Sequence, residues 1–97
     1  MTFDERVTAI KPHGFTNRQS RFLVTVMLHS GVCMVRQYCA FSNIVRGQKT
    51  QNFFGSLVAR KYATVSLDAH RKVRLFHVQH RGLYEAIGAP HLRSTLS

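Results

Sequence analysis

Arg6, Lys11, Arg18, Arg21, Arg36, Arg46, Lys49, Arg60 and Lys61 follow one another with no carboxylate between Glu5 and Asp68. The only acids of the 97-residue chain are Asp4, Glu5, Asp68 and Glu85, and the formal net charge is +10. Unpaired positive charge repels itself and opposes compaction, so an excess of this size points to a polyanionic partner. Nucleic acid is the leading one, because phosphates supply most of the affinity for such a surface. An anionic membrane would require an amphipathic helix with Lys or Arg around its polar face and bulky apolar residues opposite, and no segment shows that pattern.

The remaining chemistry-bearing residues are sparse. Cys33 and Cys39 are six apart, which turns a helix by about 600° and puts the thiols on different faces. A metal clip would want a C-x-x-C spacing, so these read as reduced, partly buried thiols of a cytoplasmic protein. His77 and His80 have an H-x-x-H spacing but no carboxylate or cysteine nearby in sequence, and read as structural or solvent-exposed. No phosphate-cradling glycine loop, dinucleotide fingerprint, zinc-protease motif or nucleophile elbow occurs. Asp68 and Glu85 do not form the carboxylate pair that general acid–base work would suggest. The expectation is a protein that is not an enzyme, with no catalytic residues, no metal and no cofactor. The N-terminus is polar through Lys11 and does not read as a secretory signal. The longest apolar run, Phe22–Leu28, is interrupted by Thr25 and is far too short to span a bilayer.

The cations need elements to position them. Residues 1–14 read as a leader, either an arm or a short extra helix, and Lys11-Pro12-His13-Gly14 breaks the chain. Thr16 with Gln19 forms a capping-box pattern. Phe22, Leu23, Val26 and Met27 then recur at helical spacing, predicting a helix from Asn17 to His29 that Ser30-Gly31 ends. Met34, Val35, Tyr38 and Phe41 predict a second helix of two turns, ending near 40–43. A third runs from Arg46-Gly47 to Tyr62. At 100° per residue, Phe53, Phe54, Leu57 and Val58 share one side of it. Gln48, Lys49, Asn52, Ser56 and Ala59 fall opposite with Gly55 beside them, and Gln51 and Arg60 flank that face. Val65 and Leu67, then Val73, Leu75 and His77, alternate with their neighbours around the basic loop Asp68-Ala69-His70-Arg71-Lys72, which predicts a β-hairpin. His80–Ile87 reads as a last short helix, stopped by Gly88 and Pro90. Tyr62, Tyr84 and the seven Phe sit at core periodicity, which argues against a single-strand or RNA-binding sheet.

The order helix, helix, helix, hairpin, helix resembles the winged helix-turn-helix family over Phe15 to Val78. Gly31-Val32-Cys33-Met34-Val35-Arg36-Gln37-Tyr38 looks like the entry into its second helix. Phe53-Phe54-Gly55-Ser56-Leu57-Val58-Ala59-Arg60-Lys61-Tyr62-Ala63 looks like its recognition helix running into the wing. Gly82-Leu83-Tyr84-Glu85-Ala86-Ile87-Gly88 has a looser likeness to small bacterial proteins of plasmid and mobile-element replication or transfer control. The resemblance implies a mainly α fold with a β-hairpin wing: a three-helix core, a two-stranded wing and a short C-terminal helix. The expected divisions are an N-terminal arm at 1–14, a winged-helix domain at 15–88 and a C-terminal tail at 89–97.

It also implies sequence-specific binding of double-stranded DNA by a transcriptional regulator or a replication or transfer control protein, cytoplasmic and nucleoid-associated. Gln48, Gln51 and Asn52 suit adenine edges, and Lys49 and Arg46 suit guanine or phosphate. Ser56, with Gly55 and Ala59, is small enough to let the helix approach the DNA. Arg18, Arg36 and the helix N-termini would hold phosphates, with Gln37 and Arg60 beside them. His70, Arg71, Lys72 and Arg74 on the wing would reach the minor groove or its phosphates. The alternatives are a winged-helix protein-interaction module docking an acidic partner and an RNA-binding protein. A homodimer through Leu83, Tyr84, Ile87 and Leu92 is a further expectation.

Overall fold

Capping and turn chemistry set most of the element boundaries. The computed structural model describes residues 1–92. Thr2 and Glu5 cap helix α1 (Phe3–Ile10) reciprocally: the Glu5 N–H donates to Thr2 Oγ1 at 3.1 Å, and the Thr2 N–H to Glu5 Oε1 at 2.7 Å. The residues read as a leader thus form a helix whose Val7 and Ile10 are buried in the core. A short 3-10 turn (Lys11–His13) ends at Gly14, with φ of 102°. The expected box of Thr16 and Gln19 opens α2 (Asn17–Leu28).

Helix α3 (Val35–Ser42) begins where the Met34 N–H donates to Gln37 Oε1 at 2.8 Å, and ends at Asn43 in the left-handed region. After residues 43–47 comes α4 (Gln48–Ala59). Thr50, Phe53, Phe54 and Leu57 form its buried stripe, one residue in three or four as a helix on a core requires. Helix α5 (Arg81–Ala86) is capped by His80, whose Nδ1 accepts from the Leu83 N–H at 3.2 Å.

Strands β2 (Ala63–Asp68) and β3 (Val73–Val78) form the expected hairpin in unbroken antiparallel register, from Ala63 opposite Val78 to Asp68 opposite Val73. A two-residue strand, β1 (Val32–Cys33), pairs with the other side of β3, giving the order β1-β3-β2. The fold is therefore mixed α/β, five α-helices and a three-stranded antiparallel sheet among the described residues, rather than mainly α with a two-stranded wing. The third strand has a physical consequence. It ties the hairpin to the α2–α3 connection through main-chain bonds, including Val78 N–H to the Gly31 carbonyl at 2.8 Å.

The core is aromatic at its centre. Phe22, Tyr38, Phe53, Phe54 and Phe76 meet edge-on or tilted, with centroids as close as 4.7 Å between Phe54 and Phe76. Such pairs add roughly 0.5–1.5 kcal/mol each beyond the area they bury. Leu83, Tyr84 and Ile87 are also fully buried, and the Tyr84 hydroxyl donates to the Val78 carbonyl at 2.8 Å. They close this chain's own core, so the dimer surface expected from them is not available. Ala89 is buried and Leu92 packs on the same core, while residues 93–97 of the expected tail lie outside the described residues.

Candidate nucleic-acid interface

Helix α4 presents a polar outer face because its apolar residues are used up on the core side. Gln48, Lys49, Gln51 and Asn52 are exposed on the first two turns, and Gly55, half-buried Ser56 and Ala59 follow on the next two. Gln48 Nε2 donates to Asn52 Oδ1 at 2.9 Å, so the two amides form one polar patch with free donor and acceptor groups. A Cβ added at Gly55 would meet nothing within 4 Å. At 1.5 Å per residue the helix is about 18 Å long, and a helix of about 10–12 Å diameter with its side chains fits the roughly 12 Å width of a DNA major groove.

A cleft opens on each flank of this face. The first, of about 800 Å³, lies between α4, the start of α3 and the hairpin. Arg36, Arg46, Gln51, Lys72 and Arg74 line it above a floor that includes Val35, Phe54, Val58, Val65 and Phe76. The second, of about 870 Å³, lies between the first turns of α2 and α4. Arg18, Lys49, Asn17 and Gln48 line it beside Tyr38, Ile44 and Val45. The first turns of α2 and α4 border it, and the N-terminus of α4, which has no side-chain cap, favours an anion.

Among the described residues no carboxylate lines either cleft. The four acids are engaged elsewhere among the described residues. Asp4 pairs with Arg21 at 3.3 Å, Asp68 with Arg71 at 3.2 Å and Glu85 with Arg81 at 3.1 Å. Glu5 serves its helix cap, and the Thr2 backbone N–H it accepts from holds its carboxyl below the ordinary range.

The residues singled out from the sequence thus divide. Arg18, Arg36, Arg46, Gln48, Lys49, Gln51, Asn52, Ser56, Lys72 and Arg74 lie on the outer face of α4 or in the two clefts beside it. Four others have local partners. Gln37 caps α3 through its side-chain carbonyl. The Arg60 guanidinium donates to the His13 carbonyl and the Tyr62 hydroxyl and stacks 4.7 Å from the Tyr62 ring centroid, bracing the N-terminal turn against the end of α4. Arg71 is held by Asp68, and the backbone N–H groups of His70 and Arg71 both donate to Asp68 Oδ1, which shapes the hairpin turn. Val65 of β2 also lines the first cleft, and its only signal in the sequence is the alternation that also marks an ordinary hairpin.

The histidine and cysteine candidates have local duties as well. His77 Nε2 lies 2.8 Å from Ser66 Oγ, and His80 caps α5. Cys33 is buried, which pushes its thiol from the ordinary 9.0 up to about 12. Among the described residues no three His, Cys, Asp or Glu side chains cluster in a way that would hold a metal ion, and no helix is long and apolar enough to cross a membrane. No protein-family model, curated protein or solved structure matches the chain.

Proposed function

We propose that this chain is a winged helix-turn-helix module that binds double-stranded DNA, with α4 in the major groove and the β2–β3 hairpin alongside. The observation that carries the reading is the polar outer face of α4 set between two cationic clefts without a carboxylate. The two phosphate strands that border a major groove would lie one in each cleft. Arg36, Arg46, Lys72 and Arg74 neutralise the first strand, and Arg18 and Lys49 the second. These contacts set position and carry no sequence information; base reading falls to Gln48, Gln51 and Asn52 on the face between. The tie of the hairpin to the α2–α3 connection through β1 supports the reading, because it fixes Lys72 and Arg74 relative to α4. The role that follows is a transcriptional regulator or a replication or transfer control protein of a bacterial mobile element, working at the nucleoid.

One observation favours a second reading, a module that docks an acidic partner protein. The floor of the first cleft is apolar, which suits an acidic peptide with buried side chains as well as a sugar–phosphate strand. Asn52→Glu separates the two. It places a carboxylate on the exposed face of α4, at a residue that lines neither cleft. Loss of binding to random-sequence duplex, with unchanged far-UV circular dichroism, is the outcome expected for DNA on that face. Duplex binding equal to wild type would overturn the placement of α4 in the groove.

A further inference from the structure

The first cleft joins two chemistries, and a DNA strand uses only one of them. Its rim is cationic. Arg36, Arg46, Lys72 and Arg74 are exposed, and among the described residues none of their side chains has a hydrogen bond or an ion pair. Below the rim the walls are apolar. Met34 and Val35 at the start of α3, Val58 of α4 and Val73 of β3 are half-buried there, and Val65 of β2 is 46% exposed. The sheet explains why the two chemistries meet. Val65 and Phe76 are cross-strand partners and share a face, and Arg74 stands on that face two residues from Phe76. The face that buries Phe76 in the core therefore runs outward through Val65 to a guanidinium.

The donor inventory narrows what can fill the cleft. Arg and Lys side chains carry N–H donors and no acceptor. Among the described residues the polar side chains that line the cleft offer no acceptor beyond the Gln51 carbonyl. A peptide would bring main-chain N–H groups there, and buried donors left unpaired are costly. A phosphate strand accepts from the rim, but its hydrated, charged oxygens gain nothing from valine walls. A carboxylate has acceptors only, pairs with a guanidinium through two parallel bonds, and can carry a hydrocarbon body. The volume of about 800 Å³ lies within the range of about 300–1,000 Å³ that small-molecule sites occupy.

We infer that this cleft binds a small organic acid, its apolar body against Val58, Val65 and Val73 and its carboxylate on the guanidiniums of the rim. The site itself needs only the cleft. Its consequence rests on the DNA reading: the acid occupies the cations that hold the first phosphate strand, so it releases DNA as it binds.

Isothermal titration calorimetry of the full chain with octanoate, naphthoate, acetate and octanol, at equal ionic strength, tests the site without DNA. Octanoate or naphthoate should bind one to one. Either should bind at least about tenfold more tightly than acetate, which has the head alone, or octanol, which has the body alone, since each buried methylene is worth about fourfold. Val65→Asp puts a carboxylate in the cleft at an exposed position and should abolish binding with unchanged far-UV circular dichroism. Arg36→Ala/Arg74→Ala should weaken it at least about tenfold, and decides the matter if Val65→Asp fails to fold. Arg81→Ala, whose partner is Glu85, should bind as wild type. Absence of binding by both acids, octanol binding as tightly as octanoate, or binding unchanged in the double variant overturns the inference. The acid is then added to protein that holds a labelled random duplex. Release of the duplex supports both readings. An acid that binds and leaves the duplex in place supports the acid site and overturns the seating of a phosphate strand in this cleft. A duplex that binds where neither acid does overturns the acid site and leaves the DNA reading standing.

Discussion

Gly55 costs its helix stability without serving the fold. A glycine inside a helix is roughly 0.8–1.0 kcal/mol worse than alanine, and a Cβ at this position meets only open space. On the proposed reading the missing side chain leaves room for the DNA, as does the small Ala59 one turn further on. Gly55→Ala should raise unfolding stability by up to about 1 kcal/mol in a urea titration. No gain would mean that the backbone here is held by something beyond helix propensity. Cys33 gives a second expectation at this scale. With its thiol raised from 9.0 to about 12 by burial, and the Tyr84 hydroxyl likewise raised to about 12, both groups ionise more readily in the unfolded chain. Their contribution to stability is complete below about pH 9 and falls as pH rises toward 12. In the native protein at pH 8 the half-exposed Cys39 should react with iodoacetamide while Cys33 reacts only in denaturant. Fast labelling of both would contradict the burial of Cys33.

The elements of the helical unit were legible because each carries a long periodic stripe and a boundary signal. The Thr16 and Gln19 box, the Phe53–Leu57 stripe and the alternating strands around Asp68–Lys72 all appear where their patterns place them, within a few residues. What was not legible has physical reasons. Strand β1 has two residues, too few for alternation to show, so the hairpin read as a wing of two strands. Helix α1 buries only Val7 and Ile10, and its polar remainder resembles an arm. Leu83, Tyr84 and Ile87 showed an apolar stripe, but a stripe does not say whether it meets its own core or another chain. Ile10 is fully buried, so Ile10→Ala should cost roughly 2–5 kcal/mol in chemical denaturation. A cost under about 0.5 kcal/mol would place α1 outside the cooperative unit.

Half of the candidate site was legible in the same way and half was not. The face of α4 follows from 100° steps around one helix, so its residues could be named from spacing alone. The clefts join residues far apart in sequence, Arg36 and Arg46 with Lys72 and Arg74, and Arg18 with Lys49. No local pattern announces them. Local pairing also sorted cations that looked equivalent in the sequence: Arg71 belongs to Asp68 and Arg60 to Tyr62 and His13, while Lys72 and Arg74 line the cleft.

At the scale of the whole molecule the excess of positive charge becomes an arrangement. The carboxylates sit in local pairs and caps, and on the proposed reading the cations beside α4 take the phosphates. The most direct test is fluorescence anisotropy of a labelled random duplex titrated with protein at several salt concentrations, comparing wild type with Lys72→Ala/Arg74→Ala. Logarithmic affinity should fall linearly with logarithmic salt for wild type, and the slope of the double variant should be shallower by about 1.8, or about 0.9 for each lost phosphate contact. A salt slope near zero, or one unchanged in the double variant, would contradict a DNA strand seated between α4 and the hairpin.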